Sequence, residues 1–371
     1  MNNLTYVNKF NKIIHLLFAV IFFSSFSIYA QKDSVEKYLD GKIVTDIKSD
    51  GGDLWVATEG NGIYKYNKLK NNWANFSSDN KKLKQDFFYC IEFSPRFIWA
   101  GSADGLYIYD KRRNRWDKRK FSLGGQFGNW IRSLEYDKNE NILWVGRFKY
   151  LTQYNLTTQQ YKDFDLTVNN NDQTNTIKSL ALDGDSLLWI GVEAGLHKLV
   201  KSFNNSPDNP KIIYFDNNDD YFLGEGKQVS VSKILPDNEL IWFGTDEFVT
   251  EKNPEFNVGG LFLFDRKINW IKFSELNKLD ANGIFSVEKS GKYIWTSIYS
   301  FNPKSKEAMG KGIYLIDRNK FTVKKLNSDF IPETILSIHF DGNNIWLGTS
   351  SGLFKINLVT DFMPDFSKKI K

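Results

Sequence analysis

The chain has 371 residues, of which 41% are hydrophobic, 25% charged and 16% aromatic, with eight prolines and one cysteine. That balance excludes a disordered or collagen-like chain, and Cys90 alone excludes an intrachain disulfide framework or a thiolate metal cluster. Lys and Arg outnumber Asp and Glu only by 49 to 44, and no basic stripe gathers the charges as a nucleic-acid surface requires.

Residues 1–30 have the layout of an export signal. Lys9 and Lys12 precede an apolar run from Ile13 to Phe23, small Ser24, Ser25 and Ser27 follow, and Ala30 ends the segment. Cleavage after Ala30 would remove those two lysines and no acid, taking the net charge from +5 to +3. The run is shorter than the about 20 residues of an ordinary membrane span, so cleavage is favoured over an uncleaved anchor. No later stretch is long and apolar enough to cross a bilayer. The mature chain is therefore expected to be soluble, without a membrane span, and periplasmic or secreted.

From there a tryptophan recurs in one frame, at Trp55, Trp99, Trp144, Trp189, Trp242, Trp295 and Trp346. The copies read LWVAT, IWAGS, LWVGR, LWIGV, IWFGT, IWTSI and IWLGT, spaced 44 to 53 residues apart. A period near 40–50 residues, with several short strands in each, marks propeller blades rather than helical solenoids. Residues 31–357 are thus predicted to form a single all-β, seven-bladed propeller of four-stranded blades, with 358–371 as a tail.

Each copy parses the same way. A first strand pairs two apolar residues, as Val44 with Ile47 or Ile131 with Leu134, and an Asp usually follows (Asp50, Asp137, Asp183, Asp237, Asp341) where its side chain can bond a tight turn. The tryptophan frame is the second strand. Two residues on, hence on the same face, stand Ala57, Gly101, Gly146, Gly191, Gly244, Ser297 and Gly348, small enough for adjacent sheets to interlock. The third strand opens with glycine in six copies, and the fourth is short and polar-aromatic, as in WANF or WIKF. After Gly352–Asn357 no fourth strand remains, but Val35–Asp40 resembles one. An unclosed ring would leave raw sheet edges, so this N-terminal segment is predicted to complete the seventh blade.

The frame of inner strand, Asp turn, LWxGT, GL and aromatic third strand resembles the two-component regulator propeller repeat over nearly all of residues 34–357. The resemblance implies the extracytoplasmic sensor propeller of bacterial hybrid histidine kinases, often a sensor of oligosaccharides. Large sensors of that family carry two rings, an immunoglobulin-like module, a membrane helix and a kinase, whereas this sequence holds one ring. The expected function is a non-enzymatic module that binds a glycan, a peptide or an envelope protein, as a monomer and with no cofactor. The alternatives are a lyase or hydrolase acting on a polysaccharide or cyclic peptide, and a cell-envelope scaffold.

Candidate chemistry is sparse. His197 stands where other copies place Tyr64, Tyr107, Thr152, Phe262, Tyr314 and Phe354, a packing position. His339 aligns with Lys48, Glu92, Glu135 and Glu288, a set expected to line the central channel as solvated polar groups rather than as an ion site. The two histidines left after removal of the signal do not supply a Ser-His-Asp or Cys-His set, and a virginiamycin-lyase-like propeller would need a histidine base. Asp137–Asn141 begins like a calcium loop but has Ile142 at the sixth position and Phe148 at the twelfth. It and Asp216–Asp220 read as turns.

Loop length points to a face. The connections from Thr245 to Gly260 and from Ser297 to Gly312 are long, and extra loop without extra core usually serves binding. They share a face with aromatic interblade connections. The candidate binding residues are Trp130, Arg132, Arg147, Lys149, Tyr221, Phe248, Tyr299 and Phe301, aromatic rings to stack on sugars or partner side chains and cations to orient acceptors.

Overall fold

The computed structural model describes residues 35–121, 123–201, 210–218, 221–273 and 279–358. The export signal expected at residues 1–30 and nearly all of the tail lie outside them.

The described residues form seven four-stranded antiparallel sheets, each a meander of consecutive strands except the last. Blade 1 is Ile43–Asp50, Asp53–Glu59, Ile63–Asn67 and Asn72–Phe76, numbered from the channel outward. The inner strands of blades 2 to 7 are Phe88–Phe93, Ile131–Asp137, Ile177–Asp183, Val231–Asp237, Gly283–Ser290 and Ile335–Phe340. Inner strands of consecutive blades are neighbours, and that of blade 7 lies against that of blade 1, closing the ring. Blade 7 takes its outer strand from the other end of the chain, as the sequence predicts: Val35–Tyr38 pairs with Gly352–Asn357 in the register Val35 with Ile356 and Tyr38 with Leu353. Tyr38 then packs 5.8 Å from the rings of Tyr66, Trp73 and Trp346, spanning blades 7 and 1.

The core lies between sheets. Each blade tryptophan is buried and faces the next blade, Trp55 joining Phe88, Ile91 and Tyr109, for instance, and Trp346 joining Val44 and Ile47. The small residue two places on is a steric requirement. A Cβ on Gly101 would stand 2.5 Å from Cys90 Sγ and 2.7 Å from Ile131 of the following blade, and Gly146 and Gly244 meet Ile177 and Ile284 in the same way at 2.6 Å.

The aspartates that follow the inner strands do more than bond turns. Asp137 accepts from the backbone N–H of Asn139 and Glu140 at 3.0 and 3.2 Å, but its other oxygen takes Lys201 of the next blade. Asp50 takes Lys111 at 2.5 Å, Asp183 takes Arg266, Asp237 takes Arg318, and Asp341 takes Lys68 at 2.8 Å. Each cation belongs to the following blade, so five of the blade junctions carry a clamp on the face of these turns. The Lys201–Asp137 pair is the most enclosed, both side chains being 3% exposed.

Candidate functional site

Opposite a blade tryptophan in the strand register stand Lys48, Glu92, Glu135, Glu288 and His339, so the five residues expected in the channel share one level. Ala181 and Leu235 complete the ring. Its polar atoms serve the junctions between blades. Lys48 Nζ lies 3.3 Å from Glu92, whose charge raises the lysine's pKa. Glu135 accepts from the Leu182 N–H at 3.2 Å and Glu288 from the Phe340 N–H at 3.3 Å, each one blade on. Burial and then the nearby Glu92 push Glu135 up to about 7. His339 is 2.8 Å from Ser49 Oγ, and burial reinforced by the Lys48 charge pushes it down to about 3, so it is neutral. His197 is buried, 2.8 Å from the Thr174 carbonyl, and burial lowers it to about 4. Neither histidine is a base exposed at the mouth.

The channel mouth is built by a β-bulge repeated in every inner strand, just after its first apolar residue. A bulge leaves one residue outside the ladder and re-aims it. The seven bulged residues are Thr45, Tyr89, Arg132, Lys178, Ser232, Phe285 and Leu336. Thr45 and Ser232 donate to the carbonyls of Phe88 and Ile284 in the next blade, at 2.7 and 3.2 Å.

On the blade 2–3 side the bulged Tyr89 and Arg132 join an aromatic platform. The Trp130 and Phe148 rings are 5.3 Å apart and within 9° of parallel, Tyr89 lies 5.8 Å from Trp130, and the exposed Phe127 5.1 Å from Phe148. The Arg132 guanidinium sits 5.8 and 5.6 Å from the Trp130 and Phe148 ring centres and bonds Glu193 at 2.9 Å. Across the mouth, Asp246 of blade 5 accepts from Lys178 of blade 4, from Ser230 at 2.6 Å and from the Tyr299 hydroxyl of blade 6 at 3.2 Å. Burial opposes ionisation of Asp246, but these donors hold its pKa low.

The long connections of blades 5 and 6 prove to be strand extensions around a tip, residues 249–256 in blade 5 remaining turn and loop. Leu240–Phe248 pairs with Asn257–Phe264, and Tyr293–Asn302 with Glu307–Asp317, two tall hairpins beside the mouth. Phe248 and Phe301 meet at 4.8 Å between them, and Phe248 remains 42% exposed.

The eight candidate residues therefore do not form one patch. Trp130 and Arg132 come together, as do Phe248 and Phe301, while Tyr299 packs on Phe285. Arg147 must be corrected: it is fully buried, bonding the carbonyls of Leu123 and Gly128 at 2.8 Å and Asp163 at 2.8 Å, under the rings of Phe121 and Tyr150. It replaces the hydroxyl with which Thr58, Thr245 and Thr349 close the corresponding turns. Tyr299 is only 6% exposed, its phenol raised well above the usual range by burial and by Asp246, and it anchors the wall instead of presenting a free ring. Tyr221 packs on Phe215 and Trp270 between blades 4 and 5. Lys149 is at the rim, paired with Asp172 at 2.7 Å. Tyr89, Phe148, Lys178, Asp246 and Phe285 were not singled out by the sequence reading. Aligning the seven copies on the residue after the first inner-strand apolar would have found Tyr89, Lys178 and Phe285.

Among the described residues no group of three or more His, Cys, Asp or Glu side chains is placed to hold a metal ion, and no helix is long and apolar enough to cross a membrane.

No known protein-family profile matches the chain. A stretch of 180 residues is 26% identical to histidine kinase P4 of Formosa agariphila, covering 44% of this chain and 12% of that protein's length. The extracellular domain of a protein described as a one component system, from B. thetaiotaomicron, superposes with a TM-score of 0.66 at 18% identity, covering 87% of this chain and 40% of that one. That of a hybrid two component system from the same organism gives 0.63 at 19%, covering 87% and 41%. Virginiamycin B lyase from Staphylococcus aureus gives 0.63 at 13%, covering 88% and 99%. The chain spans less than half of either extracellular domain, and at these identities the superpositions establish the propeller. In fold, this chain is similar to the extracellular propeller domains of one component and hybrid two component systems.

Proposed function

We propose that the protein is an exported, non-enzymatic binding module of sensor type, which engages a glycan, a peptide or another envelope protein through the channel mouth. The observation that carries this reading is the Trp130–Phe148 platform with Arg132 laid against it. Its parallel rings offer flat apolar faces, and the guanidinium supplies planar donors held by a single acid, Glu193. The tall hairpins of blades 5 and 6 wall the opposite side, giving the mouth depth for a ligand.

The test is a thermal-shift screen of the protein against oligosaccharides, peptides and envelope extracts, followed by the Trp130→Ala, Phe148→Ala double variant. A ligand at a hundred times its dissociation constant stabilises the folded state by about 2.7 kcal/mol. The double variant should weaken that ligand by about tenfold or more. A variant that responds to the ligand as the unmodified protein does would remove the mouth from the binding site.

A further inference from the structure

Between the bulges of the mouth and the ring of Lys48, Glu92 and Glu135 lies one more level of the channel, paired in register with the small residues of the second strands. Asp46 stands there opposite Ala57, Ser179 opposite Gly191, Lys233 opposite Gly244 and Ser286 opposite Ser297. Three of these four are spent on the fold. Asp46 accepts the N–H groups of Ile47 and Ile91 at 2.9 and 2.8 Å, Ser179 donates to the Val231 carbonyl at 3.1 Å, and Ser286 accepts from the Ile338 N–H at 3.1 Å.

Lys233 is different. It is partly exposed on an inner strand of the channel, and no hydrogen-bond or ion-pair partner is within reach among the described residues. Its surroundings disfavour the ammonium, and of the charges that act on it through space Asp46 is the strongest, followed by Lys48 and then Asp246. The other basic groups of the mouth and upper channel are each matched: Arg132 with Glu193, Lys178 with Asp246, and Lys48 with Glu92.

A cation held inside a channel without a contact partner is poorly compensated, and an anion that reaches it gains from the pairing. Three properties of the anion follow. It is singly charged, because Asp46, the strongest charge acting on Lys233, disfavours a second negative charge. It is small where it meets the ammonium, because the level is lined by strand residues. What carries it can be broad and apolar, because Tyr89, Trp130, Phe148 and Phe285 ring the mouth above. A carboxylate on a ring-bearing molecule has all three.

We propose that Lys233 is the anchor of a carboxylate subsite in the upper channel, reached from the mouth by a singly charged ligand. The proposal rests on the mouth being the binding face. It adds the chemistry of the ligand: a sugar acid or an aromatic acid rather than a neutral compound or a dianion.

The test follows Lys233 directly, in protein labelled with ¹³C at lysine Cε, its signal identified by loss in Lys233→Arg and Lys233→Met. Glucuronate and phenylacetate are titrated, with glucose and phenylacetamide as uncharged counterparts, while the Trp130 indole N–H signal reports on the mouth. A saturable shift of the Lys233 signal with either acid, absent with its neutral counterpart, is expected, and which acid binds names the source of the carboxylate. Lys233→Met should weaken that acid about tenfold or more, whereas Lys233→Arg, which keeps the charge, should bind it much as before. A Lys233 signal unmoved by both acids, or moved equally by chloride, overturns the subsite. In that case a Trp130 signal that still moves leaves the binding face standing, and one that does not removes both.

Discussion

Lys201→Met is the sharpest test of how the blades hold one another. Lys201 and Asp137 are each 3% exposed, so the pair is shielded from solvent as few ion pairs are. Removing the cation strands a carboxylate that keeps only the Asn139 and Glu140 N–H groups. Breaking a buried pair from one side costs about 3–5 kcal/mol, and those two retained bonds set the expectation at the lower end, about 3 kcal/mol. In a chain of this size each kcal/mol lowers the melting temperature by about 2 °C or slightly more, so a fall of about 6 °C is expected. Calorimetry and urea unfolding of Lys201→Met, Asp137→Asn and the double variant would give the coupling between the two. The double variant should be less damaged than Lys201→Met, because the stranded charge is gone. A loss below about 1 kcal/mol, the range of an exposed pair, would refute the clamp.

Two further outcomes follow from the fold. Deleting residues 35–40 exposes the edge of Gly352–Asn357 and removes Tyr38 from between Tyr66, Trp73 and Trp346; loss of a single cooperative unfolding transition is expected, and a deletion variant that melts like the full chain would show that the ring does not depend on this strand. Glu135 has a folded pKa raised to about 7 by burial and by Glu92. The folded state therefore holds a proton that the unfolded state releases near pH 4.3, so stability is full below that pH and falls as pH rises toward 7. Glu135→Gln should flatten this decline in urea unfolding measured between pH 4.5 and 8, and an unchanged profile would place the titration elsewhere.

What the repeats encode locally could be read without coordinates. The apolar pair, the tryptophan, the small residue after it and the glycine opening the third strand each act within one blade or on its immediate successor. Seven tryptophan frames therefore fix seven blades, and the missing last strand points to Val35–Tyr38. The long connections were visible as insertions, and the channel level of Lys48, Glu92, Glu135, Glu288 and His339 followed from alignment of the copies.

The destination of a polar side chain was not readable, because it depends on what the neighbouring blade, some 45–50 residues away in sequence, places opposite it. Arg147 looks like a rim cation in sequence and is buried because the connection before blade 3 brings the carbonyls of Leu123 and Gly128 to it and the outer strand brings Asp163. Tyr299 looks like a free ring on a loop, and the hairpin of blade 6 delivers its hydroxyl to Asp246 of blade 5. Lys233 looks like any strand lysine, and only closure of the ring turns its strand toward a channel. Period and residue size determined the propeller and its closure, since packing faces repeat with the chain; the tertiary structure alone decided which charges are spent on the junctions and that Lys233, among the described residues, faces the channel without a partner.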